Sequence, residues 1–369
     1  MTGGSMGITQ LAAGRDRSVV LTNKGEAWAW GALRTWDASA PTNLQPPEGE
    51  VCSSDPALVG HNRYAQPHAL LLNAATPFAL IAESHTQILA VCRAGNAFAC
   101  KPVVDPRRGA IHQRLAGLPA SIAQLAATAS VGLALDGKGT VWSWGPSNHG
   151  QLGRAAQAWL AGPGAVTGLP AIARLAAGNA HALALDCQGA VWAWGANAAG
   201  QLGNGTLTEN REPTQITLPK PIAQIAAGDT HSLALDASGQ LWAWGSNQHG
   251  QTGLAGSAYY TQPQRVPLDF PLAYLDGGMF YTAALSSQGE VFAWGWNGLG
   301  QTGHSTNTST HQPARISGLK HMTLLAAGSG HLLASDGQRV FAWGDNRSAT
   351  CGTSAAQSCI RSPRPITLA

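Results

Sequence analysis

The chain has 369 residues, of which 44% are hydrophobic, and its formal net charge is +3. That apolar content excludes a disordered chain, and the nearly balanced charge gives no extended basic field for nucleic acid. Only 11% of the residues are charged, against a usual ~25%, while Gly (45), Pro (21) and Trp (13) are abundant. Because no uninterrupted apolar run reaches about 18 residues, we expect no membrane insertion.

The amino terminus shows no charged region followed by an apolar stretch, so we expect no signal peptide. A cytoplasmic location is therefore the default expectation. A secreted or periplasmic location stays open if the first residues, Met1–Ser5, are not native.

A strand motif with paired aromatic residues recurs along the chain and ends in Trp-Gly. Its second aromatic is Trp30, Trp144, Trp194, Trp244, Trp294 and Trp343. From Trp144 onward the steps are 50, 50, 50 and 49 residues, whereas 114 residues separate Trp30 from Trp144. A second anchor, Leu-Ala-Ala-Gly or a variant, lies 16 residues before most of these tryptophans and locates a degraded copy at Ser84 and Cys100. The repeat count is therefore seven.

Each repeat is predicted to form short strands. In one copy, Ile222–Gly228 and His231–Asp236 are apolar with partial alternation, and Ala237–Gly239 is typical of a hairpin turn before the strand Gln240–Gly245. No segment has a sustained helical period, so few helices are expected. All-β repeats of about 50 residues fit the blades of a propeller.

The two ends of the chain are predicted to close the ring. Arg364–Leu368 resembles Thr214–Leu218, which runs directly into the next repeat, and the next repeat after the C-terminal one is Ile8–Leu11 at the other terminus. We therefore expect N- and C-terminal segments to pair and remove the exposed edges. The prediction is one domain over 6–369, with a Pro-rich loop inserted at 36–78 between repeats one and two.

The loop after each aromatic strand carries a second motif. Gly145–Gly153 and Gly195–Gly203 resemble the G-x-N-x-x-G-Q-L-G signature of regulator-of-chromosome-condensation repeats, and 245–253 and 295–303 repeat it with Thr in place of Leu. A companion G-x-x-H element occurs at Gly178–His181, Gly228–His231 and Gly328–His331. The resemblance covers essentially the whole chain and implies a seven-bladed β-propeller, in agreement with the repeat count.

Members of the resembled family have several roles: nucleotide exchange on a small GTPase, β-lactamase inhibition, ultraviolet sensing and effector scaffolding. The loop that carries exchange activity has no residue-by-residue match in this chain. No Gly-Trp-Arg-His-Thr motif occurs, which disfavours ultraviolet sensing. Similarity to the propeller-type β-lactamase inhibitor concerns the fold, which does not transfer a function.

Aromatic residues that break the repeat are the candidate contact residues for a partner. Repeated aromatics are explained by packing between blades, whereas large apolar loop residues outside the pattern are typical interface anchors. Core packing in one irregular blade is an equal alternative for the segment 279–281. The candidates are Trp36, Tyr64, Phe280, Tyr281 and Trp296.

The repeated histidines admit two interpretations. A ring of histidines suggests a metal or acid–base site, but such a residue usually hydrogen-bonds the backbone of a neighbouring loop, and Gln or Val at matching positions spoils a symmetric site. We expect no metal. The candidate residues for the mouth of the channel are Arg17, His181, Asp229, His231 and His331.

The six cysteines match no zinc-ligand spacing, and Cys351 and Cys359 flank a loop across which a disulfide is possible. Cys92, Cys100 and Cys187 fall on predicted strand or turn positions, where a buried free thiol is the simpler interpretation. The proposed bridge depends on an oxidising compartment.

The sequence contains no nucleophile-elbow, P-loop or zinc-metalloprotease motif. We therefore expect a non-enzymatic protein-interaction module without a cofactor, and we expect it to be monomeric. The expected partner is another protein. Nucleic acid is disfavoured because the one basic cluster, between Lys101 and Arg114, is small. The alternatives are a small-ligand binder or enzyme that uses the channel mouth, and an exchange factor for a small GTPase.

Overall fold

The computed structural model describes residues 6–35, 65–72, 77–83, 88–105, 109–155, 160–304, 306 and 308–368. These ranges contain 29 strands and no helix. The strands form seven sheets, six of four strands and one of five. The prediction of an all-β, seven-bladed propeller is confirmed.

Each blade consists of consecutive antiparallel strands. The first three blades contain β1 (Ile8–Ala13), β2 (Arg17–Thr22), β3 (Ala27–Ala32) and β5 (Ala65–Leu71); β6 (Phe78–Glu83), β7 (Ile88–Cys92), β8 (Ala97–Asp105) and β9 (Gly109–Arg114); and β10 (Ile122–Ala127), β11 (Gly132–Asp136), β12 (Val141–Pro146) and β13 (Leu160–Ala165). The short strand β4 (Arg34–Thr35) adds to blade two in parallel with β8. Part of the expected Pro-rich insertion thus forms β5, the outer strand of blade one.

The remaining blades repeat this plan. They contain β14 (Ile172–Ala177), β15 (His181–Asp186), β16 (Val191–Gly195) and β17 (Asn210–Ile216); β18 (Ile222–Ala227), β19 (His231–Asp236), β20 (Leu241–Ser246) and β21 (Tyr259–Arg265); β22 (Leu272–Gly277), β23 (Tyr281–Ser286), β24 (Val291–Gly295) and β25 (Thr310–Arg315); and β26 (Leu324–Ala327), β27 (His331–Ser335), β28 (Val340–Asp345) and β29 (Cys359–Ile366). Within the described ranges no helix meets the length and hydropathy of a membrane span.

The first strand of every blade lies at the centre of the ring. Each of these strands contacts the first strands of both neighbouring blades, including β1 with β26. Because strand direction alternates within a blade, the turn after the first strand and the loop after the third strand emerge at the same end of the propeller. We call this end the loop face.

The paired aromatics of the third strands explain the cohesion between blades. Trp194 and Trp244 are fully buried, and their indole N–H groups donate to the carbonyls of Gln151 and Gln201 in the preceding blade. The second and third strands meet in tight turns such as the one at Gly239, whose φ of 80° favours glycine. Packing therefore accounts for these repeated tryptophans, as the sequence predicted.

Ring closure differs in detail from the expectation. The C-terminal strand β29 pairs with β28 inside its own blade, with Ile366 opposite Val340. The first and last blades instead meet across their boundary, where the Ile8 N–H donates to the Gly337 carbonyl over 2.7 Å. Repeat spacing alone does not say whether an outer strand belongs to the preceding or the following blade, and here it belongs to the preceding one.

Candidate functional site

The three repeated histidines lie between blades, away from the channel mouth. His181, His231 and His331 are the first residues of their second strands and are fully buried. Their Nε2 atoms lie 2.9 Å from a hydroxyl of the next blade, which belongs to Ser232, Thr282 and Ser18 respectively. A side-chain hydroxyl thus takes the place of the expected backbone partner of His181 and His231, whereas His331 bonds both a hydroxyl and the backbone of Arg17.

The direction of these bonds follows from the hydroxyl's single proton. Thr282 Oγ1 lies 2.7 Å from the Gln251 carbonyl oxygen, which can only accept. Thr282 must therefore donate to that carbonyl and accept from His231, so Nε2 of His231 carries the proton. Burial lowers the pKa of His231 to about 3, which keeps the ring neutral. The same relay runs from His181 through Ser232 to Gln201, and from His331 through Ser18 to Thr350.

The histidine and the hydroxyl occur together across blade boundaries. Each of these three histidines faces Ser or Thr in the following blade. Where the first residue is Val131 or Tyr281, the following blade has Ala182 or Leu332 at the hydroxyl position. This pairing indicates that the histidines are structural.

Tyr281 corrects one of the predicted contact residues. Its side chain is fully buried, and its hydroxyl lies 2.6 Å from the His331 carbonyl oxygen and 3.0 Å from that of Gly328. Tyr281 thus replaces a histidine of the inter-blade series and bonds backbone instead of a hydroxyl. It contributes to the interior and presents no surface to a partner.

A cavity of about 240 Å³ lies on the propeller axis, lined by the first strands and the turns that follow them. These turns are joined around the axis by backbone hydrogen bonds. The N–H groups of residues 129, 179, 229, 279 and 329 donate to carbonyls of the next blade over 2.9–3.4 Å. These hydrogen bonds frame the cavity mouth on the loop face.

Arg17 and Glu83 form a buried ion pair beside the cavity. Arg17 Nη2 lies 2.6 Å from Glu83 Oε1, and both side chains are less than a tenth exposed, at 7% and 1%. Burial raises the pKa of Glu83 above its usual range, and the Arg17 charge partly offsets that rise. Arg17 is thereby placed beside the channel, but its charge is already used by Glu83.

Two more carboxyl groups line the cavity. Burial raises the pKa of Asp229 to about 6, opposed by Arg15, and burial likewise raises the pKa of Asp276 to about 6. Asp276 accepts the N–H groups of Gly277 and Ala327, each over 2.9 Å. Asp229 is the one predicted channel-mouth residue among the described lining residues of the cavity. Asp276 and Glu83 also line it, and the sequence analysis had not singled them out.

An aromatic cluster lies on the loop face beside this mouth. Phe280 lies in the turn after β22, Trp296 follows β24, and His249 comes from the loop after β20 of the preceding blade. The Phe280 ring centroid is 5.0 Å from that of His249 and 6.0 Å from that of Trp296, and all three side chains are partly exposed. We call these three residues the aromatic patch. His249 was missed because it occupies a variable position inside a repeated loop motif.

Sequence profiles place the chain in a family. The profile of the RCC1-like domain matches residues 85–369, and that of the Regulator of chromosome condensation (RCC1) repeat matches residues 8–32. The chain belongs to the RCC1-like family. No curated protein sequence matches it significantly.

Solved structures share the RCC1-like fold at low sequence identity. Human WBSCR16 is 20% identical, with a TM-score of 0.73 over 82% of this chain and 84% of that protein. Prp20p from Saccharomyces cerevisiae, reported with its binding properties to Gsp1p and histones, is 20% identical with a TM-score of 0.72 over 87% and 80% of the two chains. At this identity the likeness establishes the fold alone.

The other predicted residues of this RCC1-like propeller are placed as follows. Trp36 and Tyr64 lie outside the described residues. Cys351 and Cys359 are free thiols, so the disulfide considered from the sequence is not formed in this structure. Cys351 is buried in the last blade, where its thiol faces the Asp345 carbonyl oxygen at 3.4 Å.

Proposed function

We propose that this RCC1-like propeller is a non-enzymatic protein-interaction module and that its partner docks on the loop face over the aromatic patch. The observation that carries this proposal is the clustering of His249, Phe280 and Trp296 at the surface, with ring centroids 5.0–6.2 Å apart. Partly exposed aromatic clusters are typical of interface hot spots, because rigid rings bury much area at little entropic cost.

The positions of the patch residues support a contact role over a packing role. Phe280 is in a turn whose equivalents in the other blades include Asp16, Ser130, Thr230 and Gly330. Trp296 occupies a loop position that is Ala196 or Ser246 in other blades. The scaffold forms with small or polar residues at both positions, so two large aromatics there require another explanation.

The alternative of an enzyme at the channel mouth has less support. The three histidines are fully buried, and burial holds their pKa values at about 3 to 4, so they remain neutral near pH 7. Their Nε2 protons are already donated to hydroxyl groups. These contacts leave them poorly placed to act as general bases toward a bound substrate.

The test is affinity capture from host lysate with four forms of the protein: wild type, Phe280→Ala, Trp296→Ala and the control Leu207→Ala. Leu207 is 44% exposed in a loop of the same face, so its substitution removes a similar exposed apolar area outside the patch. A partner held by wild type and by the control but lost from both patch variants, at an unchanged melting midpoint, supports the proposal. A partner held equally by all four forms would place the interface elsewhere.

A further inference from the structure

The axial cavity is lined by negative charge. The charged side chains among its described lining residues are Glu83, Asp229 and Asp276, with no Lys or Arg. Arg17 pairs with Glu83, and among the described residues neither Asp229 nor Asp276 forms a salt bridge, although the Arg15 charge acts on Asp229 from a greater distance. Desolvated carboxylates favour a nearby cation, since a counter-charge restores the solvation they have lost.

Asp276 departs from the repeat, since the other blades form without a carboxylate at this position. The equivalent residue in the other six blades is alanine: Ala12, Ala82, Ala126, Ala176, Ala226 and Ala326. Its carboxylate is held in place by the N–H groups of Gly277 and Ala327. Asp276 thus adds a fixed carboxylate to the cavity lining at a position where the other six blades have a methyl group.

Glu83 gives an independent sign of an incomplete site. Its side chain is 1% exposed, and while Oε1 pairs with Arg17, the buried Oε2 has no hydrogen-bond donor among the described residues. A buried acceptor without a donor is costly.

Building on the proposed function, we propose that the cavity receives one basic side chain, lysine or arginine, from the protein that docks on the aromatic patch. The two surfaces are continuous, because Met279 lines the cavity and the next residue, Phe280, belongs to the patch. Within the described residues no group of three His, Cys, Asp or Glu side chains has the geometry of a metal site, which favours an organic cation over a metal ion.

The test uses the full chain labelled with ¹³C at the methionine methyl groups and titrated with N-acetyl-lysine methylamide. N-acetyl-norleucine methylamide, whose side chain is that of lysine without the ammonium group, is the uncharged control. Met279 lines the cavity and reports binding, whereas Met322 is 3% exposed in the core and reports that the fold is intact.

We expect a saturable shift of the Met279 methyl signal with the lysine probe and about tenfold weaker binding of the norleucine probe. Asp276→Asn and Asp229→Asn should each weaken the lysine probe. Asp229→Asn is the safer variant, because no hydrogen bond to its carboxylate is found in the described structure. Equal shifts with both probes, or unchanged affinity in both variants, would overturn the proposal.

This inference and the proposed function can fail separately. Trp296→Ala should leave the lysine probe's affinity unchanged, because Trp296 does not line the cavity. If the probe binds but patch variants still capture the partner, the cavity assignment stands and the docking surface is wrong. If patch variants lose the partner but the probe does not bind, the docking surface stands and the cavity assignment is wrong.

Discussion

His331 Nε2 lies 2.9 Å from Ser18 Oγ, across 313 residues of sequence, and this bond joins the last blade to the first. The Ser18 hydroxyl donates a hydrogen bond to the Thr350 carbonyl, which also accepts the indole N–H of Trp30 over 2.8 Å. The closing boundary therefore uses the same relay as the boundary between His231 and Thr282. The ring is sealed by side chains, by backbone hydrogen bonds and by core packing, and it does not depend on a strand shared between the termini.

Ser18→Ala should destabilise the propeller. It removes the hydroxyl that accepts the hydrogen bond of the buried His331 N–H and also bonds the Thr350 carbonyl, so we expect the free energy of unfolding to fall by about 1–3 kcal/mol in a denaturant titration. Ser317→Ala is the control, since Ser317 is exposed in a turn. Equal stability of the two variants would show that the relay contributes nothing to closure.

Trp194→Ala and Trp244→Ala should each cost about 3–5 kcal/mol, because each deletes a fully buried ring and leaves a cavity between blades. Trp192→Ala should cost less than half of that, since Trp192 is only partly buried. Chemical denaturation followed by circular dichroism measures both. A loss below about 1 kcal/mol for Trp244→Ala would contradict the packing role.

Deletion of residues 362–369 should lower the melting midpoint and cause aggregation. It removes the part of β29 that pairs with Val340, Phe341 and Ala342, and so exposes the edge of β28. The matched control deletes residues 367–369, which leaves the β28–β29 pairing intact and removes only the packing of the partly buried Leu368. Equal melting midpoints for the two truncations, measured by scanning fluorimetry, would mean that the outer strand is dispensable.

Stability should depend on pH through two sets of residues, three histidines and two aspartates, whose effects oppose each other. The pKa values of His181 and His331 are lowered to about 4 and that of His231 to about 3, so their contribution is complete above the ordinary value of 6.5 and is lost as the pH falls toward 4. The pKa values of Asp229 and Asp276 are raised to about 6 from 3.8, so their contribution is present at low pH and is lost as the pH rises through 6.

Asp229→Asn removes one of the opposing carboxyl groups. The loss of unfolding free energy between pH 7 and pH 4.5 should therefore be larger in this variant than in wild type, by about 1–2 kcal/mol. Asp269→Asn, at an exposed position, serves as the control. Parallel stability curves for wild type and Asp229→Asn would show that the Asp229 carboxyl group does not titrate as described.

The sequence predicted the blades better than the site. The 50-residue spacing and the Trp-Gly strands determine blade number because each buried tryptophan must meet the same neighbour in every repeat. Tyr281 was grouped with Phe280 because both are large aromatics that break the repeat, although Tyr281 occupies the position of the histidines and Phe280 a variable turn position. Asp276 was overlooked because one carboxyl in an apolar strand looks like local irregularity until the strand is placed on the axis.

The inter-blade relay sets a rule for how such a ring can grow. Histidine and hydroxyl lie on opposite edges of a boundary, so a blade fits a neighbour only when its edges match. Blade five carries both partners, His231 toward the following blade and Ser232 toward the preceding one. A tandem copy of blade five would meet itself without a mismatch, whereas a copy of blade seven would set His331 against Leu332. Blade five is therefore the unit we expect gene duplication, or an engineer building an eight-bladed ring, to insert most easily.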